Sequence, residues 1–518
     1  MYAVTSAEMQ AMDRMTIEQF GLPGRVLMEN AGREATRVFL AHFSDVARQG
    51  VGVVAGRGNN GGDGYVMARC LAQKGIPVRV YLLATADRIE GDAAANLKLL
   101  PACGVPVIEV PDEAALARCQ RDMRAEAVWV DAIFGTGLRS EVRGFFRNVI
   151  EFINQLNRPA LAVDIPSGLS ADTGQPCGAC IRARITATFA YPKIGQLLFP
   201  GADYAGRLEV LDIGIPTAMA DRIRPRQFLL TADVVRGYIA PRPADTHKGR
   251  TGHVLVVGGS PGKTGAAALA AGAALRMGAG LVTLGAAESL HAVMETLTLE
   301  AMTAPLPEIA AGVMGPTAQD AILGLARGKS CLALGPGLGP APQTGELVRA
   351  LVRSSPLPMV IDADGLNHLA GATQVLQNLP VATVLTPHPG EMARLLGISA
   401  AAVQRDRMAC ARDLAAALNL HVVLKGARTL IAHPDGSVFI NPTGNPGMAS
   451  GGMGDVLTGA LAGWIAQGLP PDRAARAAAY LHGAAADHLA RSVGPWGYLA
   501  GEVMNALPGR IAALLAET

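Results

Sequence analysis

NPTGNPGMASGGMGDVLTGALAGWIAQG, Asn441 to Gly468, decides the fold of the second half of the chain. Small residues crowd a turn ahead of a helix, which the stripe Leu457, Leu461, Trp464 places over about Asp455 to Gln467. Backbone N–H groups in such a turn, together with the positive end of the helix dipole, can face an anion. Asp455 stands at the helix start. There it is either the N-cap or the base that takes a hydroxyl proton during phosphoryl transfer, with the glycine amides stabilising the moving phosphoryl. The sequence contains no G-x-x-x-x-G-K-[ST] and no H-R-D followed by D-F-G, so the P-loop and protein-kinase classes are set aside.

Upstream of this turn, apolar runs end in Gly, Asp or Pro and alternate with segments of helical spacing. They are HVLVVGGS (253–260), GLVTLGA (280–286), CLALGPG (331–337), MVIDADG (359–365), ATVLTPHPG (382–390) and HVVLKGARTLIA (421–432). Further upstream, Pro216 to Lys248 carries many Pro, Arg and Asp residues and reads as a linker. Before it comes a second such series: VGVVAG (51–56), VRVYLLA (78–84), AVWVDAIFG (127–135), ALAVDIPSG (160–168), ITATFAYPKIG (185–195) and LEVLDIGIP (208–216). Unbroken apolar strands alternating with helices predict parallel sheets covered on both faces. The chain is therefore expected to be two α/β domains, over 1–220 and 221–518.

In the first domain, GRGNNGGDG (56–64) follows a strand and precedes the helical stretch YVMARCLAQKG. Such a turn lets backbone amides approach a phosphate, and Asn59, Asn60 and Asp63 add side-chain oxygens and amides to it. Asp131 and Asp164 end two further strands, where open α/β sheets gather ligands. Asn60, Asp131 and Ser167 offer oxygen ligands suited to a hard cation. Lys193 either joins the same crevice as a charge partner or is a solvated lysine. Asp164 is the candidate acid/base.

With 518 residues, 50% hydrophobic, 17% charged and a formal net charge of +2, the chain has ample core and no basic stripe for nucleic acid. The stretch Gly265 to Ala287 is apolar but interrupted by Arg276, and it reads as a buried helix running into a strand rather than a membrane span. The stretch MYAVTSAEMQAMDRMT does not read as a secretory signal, so a cytoplasmic chain is expected. Seven scattered cysteines suggest reduced thiols, and the pair Cys177/Cys180 reads as a loop rather than a zinc or redox site.

GRGNNGGDG, VDAIFGTGL, VDIPSG and FAYPKIG together resemble the NAD(P)H-hydrate epimerases. The resemblance implies a Rossmann-like three-layer domain that interconverts the R and S forms at nicotinamide C6 of hydrated NADH or NADPH. It implies that Asn59, Asn60, Gly61, Gly62, Asp63, Gly135, Thr136, Gly137, Leu138, Arg139, Ser140, Glu141 and Asp164 hold this substrate. It further implies a potassium ion on Asn60, Asp131 and Ser167.

The Gly-x-Gly-Asp arrangement resembles the ribokinase-like superfamily, a three-layer α/β/α fold. HKGRTGHVLVVGGSPGKTGA (247–266), ALGPGLG (333–339), VIDADGLN (360–367), TPHPGEMARL (386–395) and LKGARTLI (424–431) narrow the resemblance to the NAD(P)H-hydrate dehydratases. That resemblance implies nucleotide binding by Lys425, Gly426, Ala427, Arg428 and Thr429. The glycine turn would complete it with Asn445, Pro446, Gly447, Met448, Ala449, Ser450, Gly451, Gly452, Met453 and Gly454. Gly339, His388, Pro389, Gly390, Glu391, Met392, Ala393, Arg394 and Asp455 would contact the hydrated dinucleotide, with Asp455 the catalytic base. The two domains in one chain resemble the ADP-using bifunctional NAD(P)H-hydrate repair enzymes, which implies ADP as co-substrate; magnesium is expected to accompany the nucleotide by ordinary phosphate chemistry, and a homo-oligomer is expected.

Read from the residues alone, Glu391 is either a substrate contact or a helix cap. Asp362 and Asp364 either position magnesium or water, or hold a turn. A rival reading keeps the second fold but assigns it phosphorylation of a small alcohol. Another makes the first domain a ligand sensor without turnover.

Overall fold

The computed structural model describes residues 1–138 and 140–516. The chain forms two compact units, Met1–Gln227 and Phe228–Thr518.

In the first unit the apolar runs become strands Val51–Ala55 (β1), Val78–Leu82 (β2), Val107–Glu109 (β3), Val128–Ala132 (β4), Ala160–Val163 (β5), Ile185–Phe189 (β6) and Arg207–Leu211 (β7). Their pairings are all parallel, in the order β3-β2-β1-β4-β5-β6-β7. Alternate residues enter different cores: Val53, Val80 and Val130 pack with Phe39 and Leu71, whereas Val54, Tyr81 and Trp129 pack with Leu116, Ile150 and Ile153. Burial on both faces is the reason these strands read as continuous apolar runs. The strand order turns back between β1 and β4, and this switch point opens a crevice at their carboxyl ends.

The helix after β1, Asn59–Gln73 (α1), starts at Asn59 rather than at Tyr65. The glycines that looked like a loop lie in its first turns, where the backbone is crowded. A Cβ on Gly61 would come 2.1 Å from the Gly56 carbonyl, and one on Gly64 would come 2.6 Å from the Ala132 side chain. Glycine therefore permits the close approach of α1 to the sheet.

The second unit contains His253–Val257 (β8), Leu281–Ala287 (β9), Met302–Leu306 (β10), Cys331–Leu334 (β11), Met359–Ile361 (β12), Thr383–Leu385 (β13), His421–Leu424 (β14), Leu430–Ala432 (β15) and Val438–Ile440 (β16). Their order is β16-β15-β14-β13-β12-β11-β8-β9-β10, parallel except for the antiparallel pairs at β14-β15-β16. The stretch 421–432, read as one strand, is thus two strands that pair with each other. Gly426, at φ 139, and Arg428, at φ 58, break the run.

Helices Thr264–Arg276 (α2), Pro389–Leu396 (α3), Met453–Ala466 (α4) and Pro471–Ser492 (α5) matter for the site. The Ala/Gly-rich faces of α2 and α4 meet so closely that a Cβ on Gly459 would come 2.0 Å from the Ala270 carbonyl. This packing explains the stretch from Gly265 to Ala287, which is indeed a helix followed by a strand. Among the described residues no helix is long and apolar enough to cross a membrane.

Candidate functional site

The first unit holds a cavity of about 1210 Å³ at the switch point. Asn59, Asn60, Asp63, Gly135 to Leu138, Ser140, Asp164 and Lys193 all line it. Gly61 and Gly62 pack against Gly56 and Met28 instead, and Glu141 is exposed and paired with Arg143. Arg139 lies outside the described residues.

Asp164 ends β5 in the left-handed region, at φ 62, which for a residue with a Cβ is strained. Two hydrogen bonds hold it there: its N–H donates to the Ala187 carbonyl at 2.8 Å, and Gln196 Nε2 donates to its carbonyl at 2.6 Å. The carboxylate is thereby aimed at Lys193, whose Nζ donates to Asp164 Oδ1 at 2.5 Å and also reaches Thr188 Oγ1 and the Phe189 carbonyl. Lys193 is fully buried, so it is a charge partner and not a solvated lysine.

Two further carboxylates share the cavity. Asp63 is 9% exposed and accepts no hydrogen bond among the described residues, and Asp13 lines the same wall. Burial, with the charges of Asp164 and Asp13, holds the Asp63 carboxyl well above its ordinary range. Burial, opposed by Lys193 and reinforced by Asp164, pushes Asp13 up to about 6.

Beneath the Gly135 loop, Asp131 is 1% exposed and has no cationic partner among the described residues. It accepts the Ser167 backbone N–H at 2.8 Å and the Ser167 hydroxyl at 2.6 Å, while Ser167 Oγ accepts the Phe134 N–H at 2.8 Å. A Cβ on Gly135 would lie 3.4 Å from Asn60, whose buried amide nitrogen has no hydrogen-bond partner among the described residues. Burial pushes Asp131 up to about 6. A buried carboxylate without a cation beside an unsatisfied amide is the environment that a weakly polarising cation would relieve.

In the second unit the glycine turn leads directly into α4. Gly452, at φ 89, precedes α4, and no side chain caps the helix. Asp455 falls in the first turn, not at the cap. Its carboxyl is pushed up to about 7 by burial and then by the charge of Asp362, with Lys425 acting the other way.

Lys425 Nζ donates to Asp362 Oδ1 at 2.6 Å, and Thr458 from α4 donates to Asp362 Oδ2 at 2.7 Å. A Cβ on Gly454 would lie 3.1 Å from Lys425 Nζ, so the absent side chain at Gly454 leaves that ammonium room against the helix start. Asp364 is a turn holder: it binds Lys263 Nζ at 3.0 Å and the Gly339 N–H at 2.9 Å.

His388 is the N-cap of α3, and its N–H donates to Glu391 Oε2 at 2.7 Å in a capping box. Glu391 also lies 3.7 Å from Lys425, so it caps the helix and faces the site together. Arg394 reaches Asn367, whereas Met392 and Ala393 are buried. The loop Lys425 to Thr429 is held by Arg407, which donates to the carbonyls of Ala427, Leu424 and Lys425. Asn445 accepts from Gly447 N–H and the Tyr498 hydroxyl, and Asp487 accepts from Asn445 and Gly444 N–H.

Sequence reasoning missed Asp13, Thr458, Arg407, Asp487 and Tyr498, and it left Asp362 undecided. Asp13 and Asp487 sit in ordinary helical stretches with no local signal of a site. Arg407 alone carried a hint, as a charged residue at a position that the helix buries. Among the described residues no cluster of three or more His, Cys, Asp or Glu forms a metal cage, and Cys177 and Cys180 are free thiols.

Two family models match the chain: NAD(P)H-hydrate dehydratase over residues 254–509, and the YjeF-related protein N-terminus over residues 24–195. A bifunctional NAD(P)H-hydrate repair enzyme of Moorella thermoacetica is 47% identical, covering 98% of this chain and 96% of its own. One of Escherichia coli is 37% identical over 96% and 91% of the two chains. Among solved structures, an ADP/ATP-dependent NAD(P)H-hydrate dehydratase from Bacillus subtilis, co-crystallised with ATP and magnesium, is 31% identical. It covers 55% of this chain and 98% of its own, with a TM-score of 0.49.

Proposed function

The chain belongs to the bifunctional NAD(P)H-hydrate repair enzymes, and we propose that its two activities divide between 1–220, the epimerase, and 221–518, the ADP-dependent dehydratase. It is an isomerase and a lyase in one chain. The R and S forms of hydrated NADH or NADPH are interconverted, and the S form is returned to NADH or NADPH. The observation that carries the division is that each unit ends its own crevice in a differently supported carboxyl. Asp164 is ion-paired to Lys193, and Asp455 lies at an uncapped helix start.

In the epimerase, the nicotinamide N1 lone pair assists departure of the C6 hydroxyl, and water returns on the other face. Asp164 exchanges the proton, with Lys193 keeping its carboxylate in place. Asn59, Asn60, Asp63, Gly135 to Leu138 and Ser140, which line the cavity, hold the dinucleotide. Asn60, Asp131 and Ser167 would hold potassium, which when bound supplies positive charge that orders these loops.

In the dehydratase, Asp455 takes the C6 hydroxyl proton as that oxygen attacks the terminal phosphoryl of ADP, giving AMP and a phosphate ester. The N1 lone pair then expels phosphate, and loss of the C5 proton restores the reduced ring. Lys425 and the uncapped amides of α4 face the moving phosphoryl. Lys425 to Thr429 and Asn445 to Gly454 bind the nucleotide, and Gly339 with His388 to Glu391 and Arg394 contacts the hydrated dinucleotide. Magnesium would arrive with the nucleotide and offset the charge of its phosphates, since Asp362 and Asp364 are already engaged by Lys425, Thr458, Lys263 and Gly339.

The chain is cytoplasmic in this reading, in keeping with its free cysteines. Exposed Val293, Leu297, Leu299 and Met302, beside edge strand β10, support a homo-oligomer. Complementary losses test the division: Asp164→Ala removes epimer exchange and spares S dehydration, and Asp455→Ala does the reverse. Loss of both activities in either variant contradicts it.

A further inference from the structure

We propose that Asp13 is a catalytic acid/base of the epimerase, sharing with Asp63 the proton that inversion at C6 requires. The inference rests on the epimerase reading of the first unit, and it assigns a residue that lies outside the segment 24–195 matched by the family model.

The N-terminal segment is fastened beside Lys193 by its own backbone. The Val4 N–H donates to the Pro192 carbonyl at 2.9 Å, and the Ile194 N–H donates to the Val4 carbonyl at 3.1 Å, so Val4 and Lys193 form a parallel bridge. Thr5 then caps the helix Ser6–Met15 in a capping box with Glu8, and Asp172 accepts from both the backbone and hydroxyl of Ser6. Met9 and Met12 bury one side of this helix at 3% and 0% exposure. Asp13 is thereby held at the cavity wall, next to Met9 and Gln10.

Asp13 and Asp63 differ from Asp164 in support. Asp164 Oδ1 accepts from Lys193 and from the Phe189 N–H. The carboxyls of Asp13 and Asp63 accept no hydrogen bond among the described residues, yet both open on the cavity. The other charged groups lining it are Asp92, with the exposed Arg57 and Arg88. Asp63 and the half-buried Asp13 share the cavity with Lys193 and Asp164, and burial raises both carboxyls, Asp63 well above its ordinary range and Asp13 to about 6. Groups whose surroundings push their protonation apart mark the acid and the base of a reaction.

The proton balance then closes. The Asp13/Asp63 pair gives a proton to the C6 hydroxyl, the C6–O bond breaks as the N1 lone pair forms the N1–C6 double bond, and water departs. A second water adds to the opposite face of C6 and gives its proton to the Asp164 carboxylate. Return of that proton to the pair through cavity water resets the site. No electrons are gained or lost.

The test measures R-to-S exchange and S dehydration separately in the full-length wild type, Asp13→Asn and Asp13→Glu, with melting temperature and KM for the R form as companions. The proposal expects Asp13→Asn to lose about 10²-fold in exchange kcat with KM and melting temperature unchanged, and Asp13→Glu to regain part of it. Dehydration of the S form stays at the wild-type rate. Undiminished exchange in Asp13→Asn overturns the proposal, as does a loss confined to KM or accompanied by lowered melting temperature. If Asp13→Asn does not fold, Asp13→Ala stands in its place with the same expected loss and the same overturning results. A wild-type chain that does not exchange the epimers overturns the epimerase reading itself, and this inference with it.

Discussion

Lys425 and Asp362 meet at 2.6 Å although they stand on different strand ends, and Asp362 is only 1% exposed. A buried carboxylate in that position costs several kcal/mol without a cation, so the two residues are expected to stand or fall together. Replacing Lys425 by Met leaves Asp362 uncompensated and should destabilise the second unit by about 3 kcal/mol. The double variant Lys425→Met with Asp362→Asn should recover at least half of the loss. Calorimetric melting of the three proteins measures the coupling, and strictly additive effects would rule out the pairing.

Asp455 gives the dehydratase its pH dependence. A base works only when deprotonated, and burial with the Asp362 charge raises this carboxyl to about 7. Dehydration kcat/KM should therefore be constant above about pH 7 and fall roughly tenfold per pH unit below it. Lys425 holds the value down, so Lys425→Met should move the acidic limb to higher pH. A limb at the ordinary carboxylate range, near pH 4, would remove Asp455 from the role of base.

Potassium is expected to act through Asn60, Asp131 and Ser167. Exchange into potassium-free buffer should lower both the melting temperature of the first unit and the rate of epimer exchange, and added KCl should restore them. Asp131→Asn should abolish the response. Equal restoration by lithium would point to ionic strength and away from a site.

The glycine at 454 is expected to matter through its neighbour. In Gly454→Ala the new Cβ would come 3.1 Å from Lys425 Nζ and 3.5 Å from Asp362 Oδ2. The ammonium must give way, so the nucleotide KM should rise several-fold while the fold survives. An unchanged KM would show that Lys425 does not face the phosphates.

The chain's local patterns carried the architecture further than they carried the sites. Strands such as Val51–Ala55 and His253–Val257 were legible because burial on both faces leaves unbroken apolar runs. The edge strands Val107–Glu109 and Met302–Leu306 and the inner strand Val438–Ile440 were missed. The first two are more exposed, and all three are short or mixed in composition. The start of α1 was misjudged because three glycines that read as a loop serve close helix packing.

Lys193 was undecided from sequence, since its burial depends on Asp164, a partner twenty-nine positions away. Asp13 and Asp362 were harder still. Their roles arise from a backbone bridge at Val4 and from a lysine on a distant strand end, and neither leaves a local periodicity.

The central claim is that one chain both exchanges the epimers and dehydrates the S form at the expense of ADP. Incubating the purified protein with mixed R and S NADHX, magnesium, potassium and either ADP or ATP tests it directly. NADH absorbance and chromatography of the nucleotides are followed together. The predicted result is complete conversion of both epimers, with ADP turned to AMP and phosphate. Conversion that stops when the S form is exhausted would contradict the epimerase. Absence of NADH with either nucleotide, alongside phosphorylation of added small alcohols, would contradict the repair activity as a whole.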